Sequence, residues 1–582
     1  MNWKIKTLTD KQQELCKQLA KELHISPLSA QMLVDRGITT ADEARTYIRP
    51  SLDQLHDPFL MKDMDKAVER LHRAIETGET ILVYGDYDVD GTTSVALVYS
   101  FLSNLSAKGG LLSYYIPDRY KEGYGISFQG IDYAQSIGAT LIIALDCGIK
   151  AVDKVEYATQ KGIDFIICDH HTPGNTLPAA VAVLDMERED DNYPYKHLSG
   201  CGVGFKLCQA YTQKYLSTEA VLYPLLQFTA MSIASDIVPL TGENRLLAYF
   251  GLQQLNTQPF TGPRALIQTA LGTKSDGTKP TLNITDLMFK IGPRINACGR
   301  MKSGSEAVKL LLSTDFDEAL ALAQAVDQYN QERKGKEDTI TAEALKQLAA
   351  NPDNDQYCTT VVYDPSWHKG VVGIAASKLI ETYYRPTIVL TSSGSGLISG
   401  SARSVEGFDL YSAIDACSDL LTTFGGHLFA AGLTLPEANL EAFKQRFEAY
   451  VQSHILPEQK EPTLRIEAEV ELADITPQLL KVLKCLEPFG PENPRPLFLT
   501  RKMINNRYTK RCGKTGEHLK LDLTDRTSAI GGIAFGKGDL ALHIQNGNPV
   551  DVVYELTENT FNGVTSIEMM VRDIQPSLHS TL

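Results

Sequence analysis

Apolar positions recur at helical spacing through the first 75 or so residues. TDKQQELCKQLAKEL (Thr9–Leu23) and MDKAVERLHRAIETG (Met64–Gly78) are the clearest amphipathic helices there. From about 80 to 200 the pattern changes to short apolar runs alternating with amphipathic stretches. ILVYGDY leads into GTTSVALVYSFLSNL, TLIIALDCG into IKAVDKVEYATQKG, and IDFIICDHH follows. Buried-type strands separated by helices predict βαβ units and a parallel sheet. Residues 303 to 350 are almost wholly helical in pattern, which predicts a long connector between two lobes. A second α/β segment runs from TTVVYDPSWHKG (Thr359 onward) to about 455. From about 460 to 575 the chain reads mostly as strands, with Asn562-Gly563 as a hairpin turn. Five or six short strands and one helix, PQLLKVLKCLEPFG, suit a small barrel of the OB type.

Length and composition narrow the class. A chain of 582 residues with 43% apolar and 22% charged residues predicts three to four domains with large cores. No apolar run is long enough to span a bilayer, and MNWKIKTLTDKQQELC has no apolar leader core. The ten cysteines are scattered without a CxxC pair, which argues against zinc ribbons and a disulfide framework. A cytoplasmic protein with reduced thiols is expected. The net charge of −15 argues against coating nucleic acid by bulk charge, yet Arg501 to Lys520 holds seven Lys/Arg and one Glu.

The chemistry begins at DYDVDG, where Asp86, Asp88 and Asp90 follow an apolar run on alternate residues. In an extended backbone they would share one face, and like charges about 4 Å apart repel by roughly 4 kcal/mol near a protein surface. An EF-hand is excluded because its twelfth position is Leu97. DVDGT after a strand also matches a haloacid-dehalogenase-type motif, in which Asp88 would be a covalent nucleophile. Asp146 ends the next apolar run, Asp169, His170 and His171 end the one after, and Asp236 follows MSIAS. Successive strand ends in a parallel sheet meet at one edge. Mixed carboxylate and imidazole suit Mn²⁺, Zn²⁺ or Fe²⁺ better than Ca²⁺, and so many ligands predict two metal ions.

DYDVDG, DCG, DHH and SIASDIVPL, in that order, resemble the four motifs of the DHH phosphoesterase superfamily. IPDRYKEGYG, GPRINACGRM, WHKGVVGIAASKL, GGHLFAAG and PFGPENPRPLF narrow the resemblance to its bacterial single-strand-specific 5′→3′ DNA exonucleases. The resemblance implies an α/β protein: a helical lead-in (1–75), a parallel-sheet DHH domain (76–290), a connecting helical region (291–352), an α/β DHHA1 domain (353–458) and a C-terminal OB-type β-barrel (459–582). It implies Asp86, Asp88, Asp90, Asp146, His170 and Asp236 as ligands of two divalent ions, Mn²⁺ or Mg²⁺. His171 completes the catalytic set, and Asp169 orients a neighbouring histidine. Tyr84 stands where relatives often carry His, which puts one metal site in question, and Cys298 stands where Ala is usual.

For substrate, the resemblance implies a 5′-phosphate pocket of Arg119, Ser401 and Arg403. Arg294 and Arg300 would lie on the DNA backbone, and His427 would face the cleft. The basic stretch supplies Arg501, Lys502, Arg507, Tyr508, Lys510, Arg511 and Lys514 for single strands, by positive charge and stacking. A monomer acting in recombination and repair beside a single-strand-binding protein and a RecQ-type helicase is implied. Two rivals stay open: a DHH-type phosphodiesterase of short oligonucleotides or cyclic dinucleotides, and a catalytically inert DNA-binding scaffold.

Overall fold

The computed structural model describes residues 1–105, 110–272, 281–561 and 564–577. It divides into two compact units. The smaller joins residues 1–50 to 462–489 and 493–582, and the larger holds 51–461 with 490–492.

The larger unit contains a five-stranded parallel sheet. Its order is Leu112–Tyr115, Thr80–Gly85, Ala139–Leu145, Asp164–Cys168, Ala182–Leu184. Ile81, Val83 and Ile143 face one core, shared with helices Met64–Thr77, Val89–Ser103 and Gly200–Tyr215. Leu82, Tyr84 and Ile142 face the other, shared with helices Phe128–Ser136 and Val152–Gln160. A sheet covered on both faces needs the unbroken apolar runs seen in the sequence. The chain passes from the second strand of this row to the first, then returns to the third, so strand order reverses beside Thr80–Gly85. Open α/β sheets bind ligands at such a switch point.

The extended path expected through DYDVDG is not what the chain adopts. The strand stops at Gly85 and helix Val89–Ser103 begins at once, because the Asp88 carboxylate caps it by accepting the Gly91 amide at 3.1 Å. Asp90 therefore lies in the first helical turn, and a tight bend, not a shared strand face, gathers the acids.

Helices Gly304–Leu312 and Phe316–Ala349 fill the connector. The second has 34 residues, roughly 50 Å at the α-helical rise. Ala319, Ala323 and Val326 belong to the parallel-sheet core, whereas Ile340, Ala344 and Leu348 pack with Val362, Trp367 and Val372 of the next lobe. That lobe is a mixed sheet in the order Thr423–Gly426, Ala430–Pro436, Leu397–Arg403, Thr387–Gly394, Thr360–Tyr363, with only the last pairing parallel.

The smaller unit contains, among its described residues, a seven-stranded sheet, one or two strands more than the pattern predicts. Strand Phe498–Asn505 pairs with both Val550–Phe561 and His518–Thr524, which closes the sheet on itself. Helix Pro477–Leu486 contributes Leu479, Leu480, Leu483 and Leu486 to its core. Asn562-Gly563 lies outside the described residues, and the strands flanking it pair antiparallel. The helical reading of the first residues misses strand Asn2–Ile5, which pairs in parallel with Thr463–Ile466. Four residues are too few for alternation to register, and the partner lies far along the chain. No helix among the described residues is long and apolar enough to cross a membrane.

Candidate active site

Each strand end delivers its polar residues to the same edge of the parallel sheet. Asp146 follows Ala139–Leu145 and holds a left-handed backbone (φ 57°), a conformation that aspartate tolerates better than most residues. Helix Gly200–Tyr215 starts against it: a Cβ on Gly200 would lie 2.6 Å from that of Asp146, so only glycine allows this approach. Asp90 fixes the same helix start, accepting the amides of Gly200 at 2.7 Å and Cys201 at 2.8 Å and the Ser232 hydroxyl at 2.8 Å. His170 Nε2 lies 3.1 Å from Asp146 Oδ1 and 3.7 Å from a carboxylate oxygen of both Asp90 and Asp236. Asp169 accepts the amides of Ile149, His170 and His171 and meets His171 Nδ1 at 2.7 Å. The other ring nitrogen, Nε2, stands 3.1 Å from the Tyr124 hydroxyl, which also donates to the Asp146 carbonyl. Sequence reasoning missed Tyr124, although it sits in the quoted IPDRYKEGYG.

Crowding of like charge dominates the electrostatics. Burial first, and Asp88 second, push Asp86 up to about 8. Burial together with Asp90 raises Asp88, and burial with Asp90 and Asp88 raises Asp146 and Asp236 well above the carboxylate range. Burial lowers His170. Asp169 differs: burial opposes its charge, but hydrogen bonds from His171 and the Ile149 amide hold it below the usual value. His171, opposed by burial, is lifted to about 9 by Asp169. Among the described residues, no lysine or arginine forms an ion pair with Asp86, Asp88, Asp90, Asp146 or Asp236. The buried Asp86 Oδ2 has no hydrogen-bond partner. Two overlapping ligand sets, Asp146/His170/His171 and Asp90/His170/Asp236, each keep their ligand atoms within 4.8 Å of one another. Carboxylates that repel, an orphaned oxygen and a neutral imidazole among them fit divalent cations.

A cavity of about 620 Å³ adjoins this cluster within the same unit, lined by residues that include Tyr87, Arg119, Arg300, Lys369, Ser401 and Arg403. Tyr87 stands between Asp86 and Asp88 in the chain and carries the Arg119 guanidinium 4.8 Å over its ring. Arg300 Nη1 donates to the Gly370 carbonyl at 2.7 Å, and Arg403 Nη1 to the Ser401 hydroxyl at 2.6 Å. Among the described residues, none of these three arginines pairs with a carboxylate. Burial, with Arg119, Arg333 and Arg403 nearby, pushes Arg300 down to about 10, and burial lowers Arg403.

Three segments match known families: the DHH family N-terminal domain over 80–233, the DHHA1 domain over 354–453 and the RecJ OB domain over 466–573. The chain is 36% identical over 574 residues to the single-stranded-DNA-specific exonuclease RecJ of Bacillus subtilis, covering 98% of this chain and 70% of that one. It is 33% identical to the protein of that name from Escherichia coli, over 95% of this chain and 96% of that one. The chain belongs to the RecJ family. A crystal structure of RecJ from Thermus thermophilus in complex with Mn²⁺ matches with a TM-score of 0.82 at 28% identity, covering 99% of this chain and 80% of that one. A second from the same organism, in complex with Mg²⁺, matches with a TM-score of 0.77 at 27% identity, covering 99% of this chain and 79% of that one.

Several residues expected at a RecJ-type site stand elsewhere or are already engaged. Tyr84 turns to the opposite core, its hydroxyl donating to the Gly125 carbonyl at 3.0 Å, so it offers nothing to the acidic cluster. It does steady the loop whose Gly125 amide donates to Asp86 at 3.2 Å. Cys298 is buried in the main core. Arg294 gives Nε and Nη2 to Asp327 and Nη1 to the Lys290 carbonyl, and it does not line the cavity. His427 is exposed, its amide bonded to Ala430 in the hairpin Thr423–Pro436.

In the RecJ OB domain, Arg501 is held by Glu469 at 3.0 Å and Asp551 at 2.9 Å. Arg511 donates to the Gly538 carbonyl. Lys502, Arg507, Lys510 and Lys514 are exposed, and Tyr508 is 55% exposed.

Proposed function

We propose that this chain is a metal-dependent, single-strand-specific 5′→3′ DNA exonuclease that releases 5′-mononucleotides in recombination and repair. One juxtaposition supports this reading: a buried acidic cluster and a cavity of carboxylate-free arginines meet at Tyr87, between Asp86 and Asp88. A phosphodiester chain with a terminal phosphate needs both.

Asp86, Asp88, Asp90, Asp146, His170 and Asp236 would hold two divalent ions, Mn²⁺ or Mg²⁺. When bound, these supply Lewis-acid polarisation of the phosphodiester and activation of the attacking water. Arg119, Ser401 and Arg403 bind the terminal 5′-phosphate, where guanidinium forks match phosphate oxygens. Arg300, anchored on Gly370, adds charge on the same wall. Asp169 takes the His171 Nδ1 proton in a hydrogen bond and leaves Nε2 to orient the scissile phosphate or to protonate the leaving 3′ oxygen. Arg294, tied to Asp327, positions helix Gly292–Met301, which carries Arg300. His427, on its exposed hairpin, would reach the strand from the second lobe. The OB unit supplies affinity for single strands through Lys502, Arg507, Tyr508, Lys510 and Lys514. The enzyme works as a cytoplasmic monomer beside a single-strand-binding protein and a RecQ-type helicase.

The test is digestion of long single-stranded DNA labelled at one end or the other, with Mn²⁺ or with EDTA. Metal-dependent mononucleotide release from the 5′ end, with duplex spared, is expected. Cleavage of dinucleotides with the long strand intact would favour the small-substrate rival, and binding without cleavage would mark a scaffold.

A further inference from the structure

Next to the arginine cavity lies a second one, of about 760 Å³, that the proposed chemistry leaves unused. Its floor is a stripe of the long helix, Glu332, Gly335, Lys336, Thr339 and Glu343, which recur every three or four residues. Its opposite wall is Ser366–Lys369 with Ser392. Tyr120 and Lys369 line both cavities. The Tyr120 hydroxyl donates to the Arg300 carbonyl at 2.7 Å, and its ring stands edge-on to His368 with centroids 6.3 Å apart. A Cβ on Gly370 would collide with that hydroxyl. Tyr120, together with Lys369, thus stands between the two spaces.

Gly335 is the observation that points to an occupant. Glycine inside a helix is destabilising by about 1 kcal/mol relative to alanine. Packing gives no reason for it: a Cβ there would meet nothing within 4 Å, and its φ is not left-handed. The bare backbone keeps the cavity floor open. Lys336, Lys369 and His368 bring positive charge or donors, and Ser366 and Ser392 bring hydroxyls. Glu343 is engaged by Trp367 Nε1 at 2.8 Å, and Glu332 lies 3.5 Å from Lys336. Charge is therefore close to balanced, which suits a phosphate ester that must be held briefly and released. The volume falls in the range of small-molecule sites.

We propose that this cavity is the exit site for the released deoxynucleoside 5′-monophosphate, reached past Tyr120. The proposal rests on the exonuclease reading above. A product leaving behind the terminal-phosphate pocket does not have to pass the incoming strand, so the strand advances without withdrawing.

Gly335→Phe fills the floor, and Thr339→Trp fills the same space from the next turn should the first variant fold poorly. Gly335→Ala is the control. Single-turnover cleavage of the first 5′ nucleotide is compared with steady-state release, and with nucleotides removed per binding event under a trap of unlabelled DNA. For the filled variants, first cleavage should stay within about twofold while steady-state release and run length fall by about fivefold or more, as expected when product release limits turnover. Unchanged steady-state release with the cavity filled would overturn the proposal. So would an equal fall in first cleavage, which would make the cavity part of the substrate path. A parent enzyme that releases no mononucleotide from DNA would show that the exonuclease reading itself has failed.

Discussion

The acidic cluster brings the carboxylates of Asp90, Asp146 and Asp236 within 3.7 Å of the His170 imidazole, whereas the adjoining cavity gathers three guanidiniums with no carboxylate among them. The two differ in how they can shed charge. Buried carboxylates take up protons, and Asp86 at about 8 does so near neutral pH. Arginine keeps its charge, and even Arg300 at about 10 remains a cation. The cavity instead softens its repulsion locally, with Arg119 over Tyr87 and with Gly370 and Ala402 carbonyls accepting from Arg300 and Arg403. The charge of the cluster is therefore adaptable and suited to a cation, and that of the cavity is preset and suited to an anion.

The comparison breaks most visibly at the cluster. Asp88→Ala and Asp146→Ala should each reduce Mn²⁺-dependent digestion about a thousandfold or more, because several kcal/mol of transition-state stabilisation goes with the ligand. Asp146→Asn in EDTA should raise the melting temperature, since a repelling buried carboxylate is gone. Calorimetry showing a lower value would mean that the acids do not repel as their burial implies.

At the cavity the effect should be smaller and selective. Arg403→Ala should weaken digestion of 5′-phosphorylated DNA by about tenfold to a hundredfold, the worth of one or two charge-assisted hydrogen bonds. DNA with a 5′-hydroxyl should be affected much less, and Arg403→Lys should not restore the difference, because a point charge lacks the planar fork. Equal losses on both ends would remove the terminal-phosphate role.

The OB unit provides a third test, through the salt dependence of single-strand binding. Lys510→Ala should reduce the slope of log affinity against log salt by about one, while Arg501→Ala should leave it nearly unchanged. Arg501 already has Glu469 and Asp551 as counter-charges, whereas Lys510 is exposed. Tyr508→Ala should weaken binding about tenfold without altering the slope, the mark of stacking.

What the sequence reveals follows from where its chemistry sits. Asp86, Asp146 and the Asp169–His171 run are legible because each ends an apolar run, and parallel strands must bring their ends together. The bend at DYDVDG is not legible from alternation, because one cap, Asp88 on Gly91, outweighs the extended pattern. Side-chain pairing is hidden too: nothing near Arg294 or Arg501 in the chain announces Asp327 or Asp551, whose partnership depends on tertiary contact. The same holds for strand Asn2–Ile5, whose partner Thr463–Ile466 lies at the far end of the chain. The cavity behind Tyr120 leaves a single trace, a glycine inside a helix.

The smallest effect concerns stability alone, and it separates crowding relieved by cations from crowding relieved by protons. In the smaller unit, Asp35 and Glu467 form a buried acidic pair with built-in counter-charges. Lys6 Nζ lies 2.5 Å from Asp35, and Arg36 lies 3.6 Å from Glu467. Burial, opposed by Arg36 and reinforced by Asp35, still pushes Glu467 up to about 7. A carboxyl whose folded value lies above its unfolded value favours folding fully below about 4.5, and that contribution is lost as pH rises through about 7. Unfolding of this unit, followed through Trp3 fluorescence in a Trp367→Phe background, should therefore show a midpoint that declines between about pH 5 and 7.5. Glu467→Gln should flatten the decline and exceed the parent at pH 8, while nuclease activity stays unchanged. If the parent's midpoint were already flat, Lys6 and Arg36 would suffice to keep a buried acid pair charged. The raised acids at DYDVDG would then follow from their lack of such neighbours, and burial would be the lesser cause.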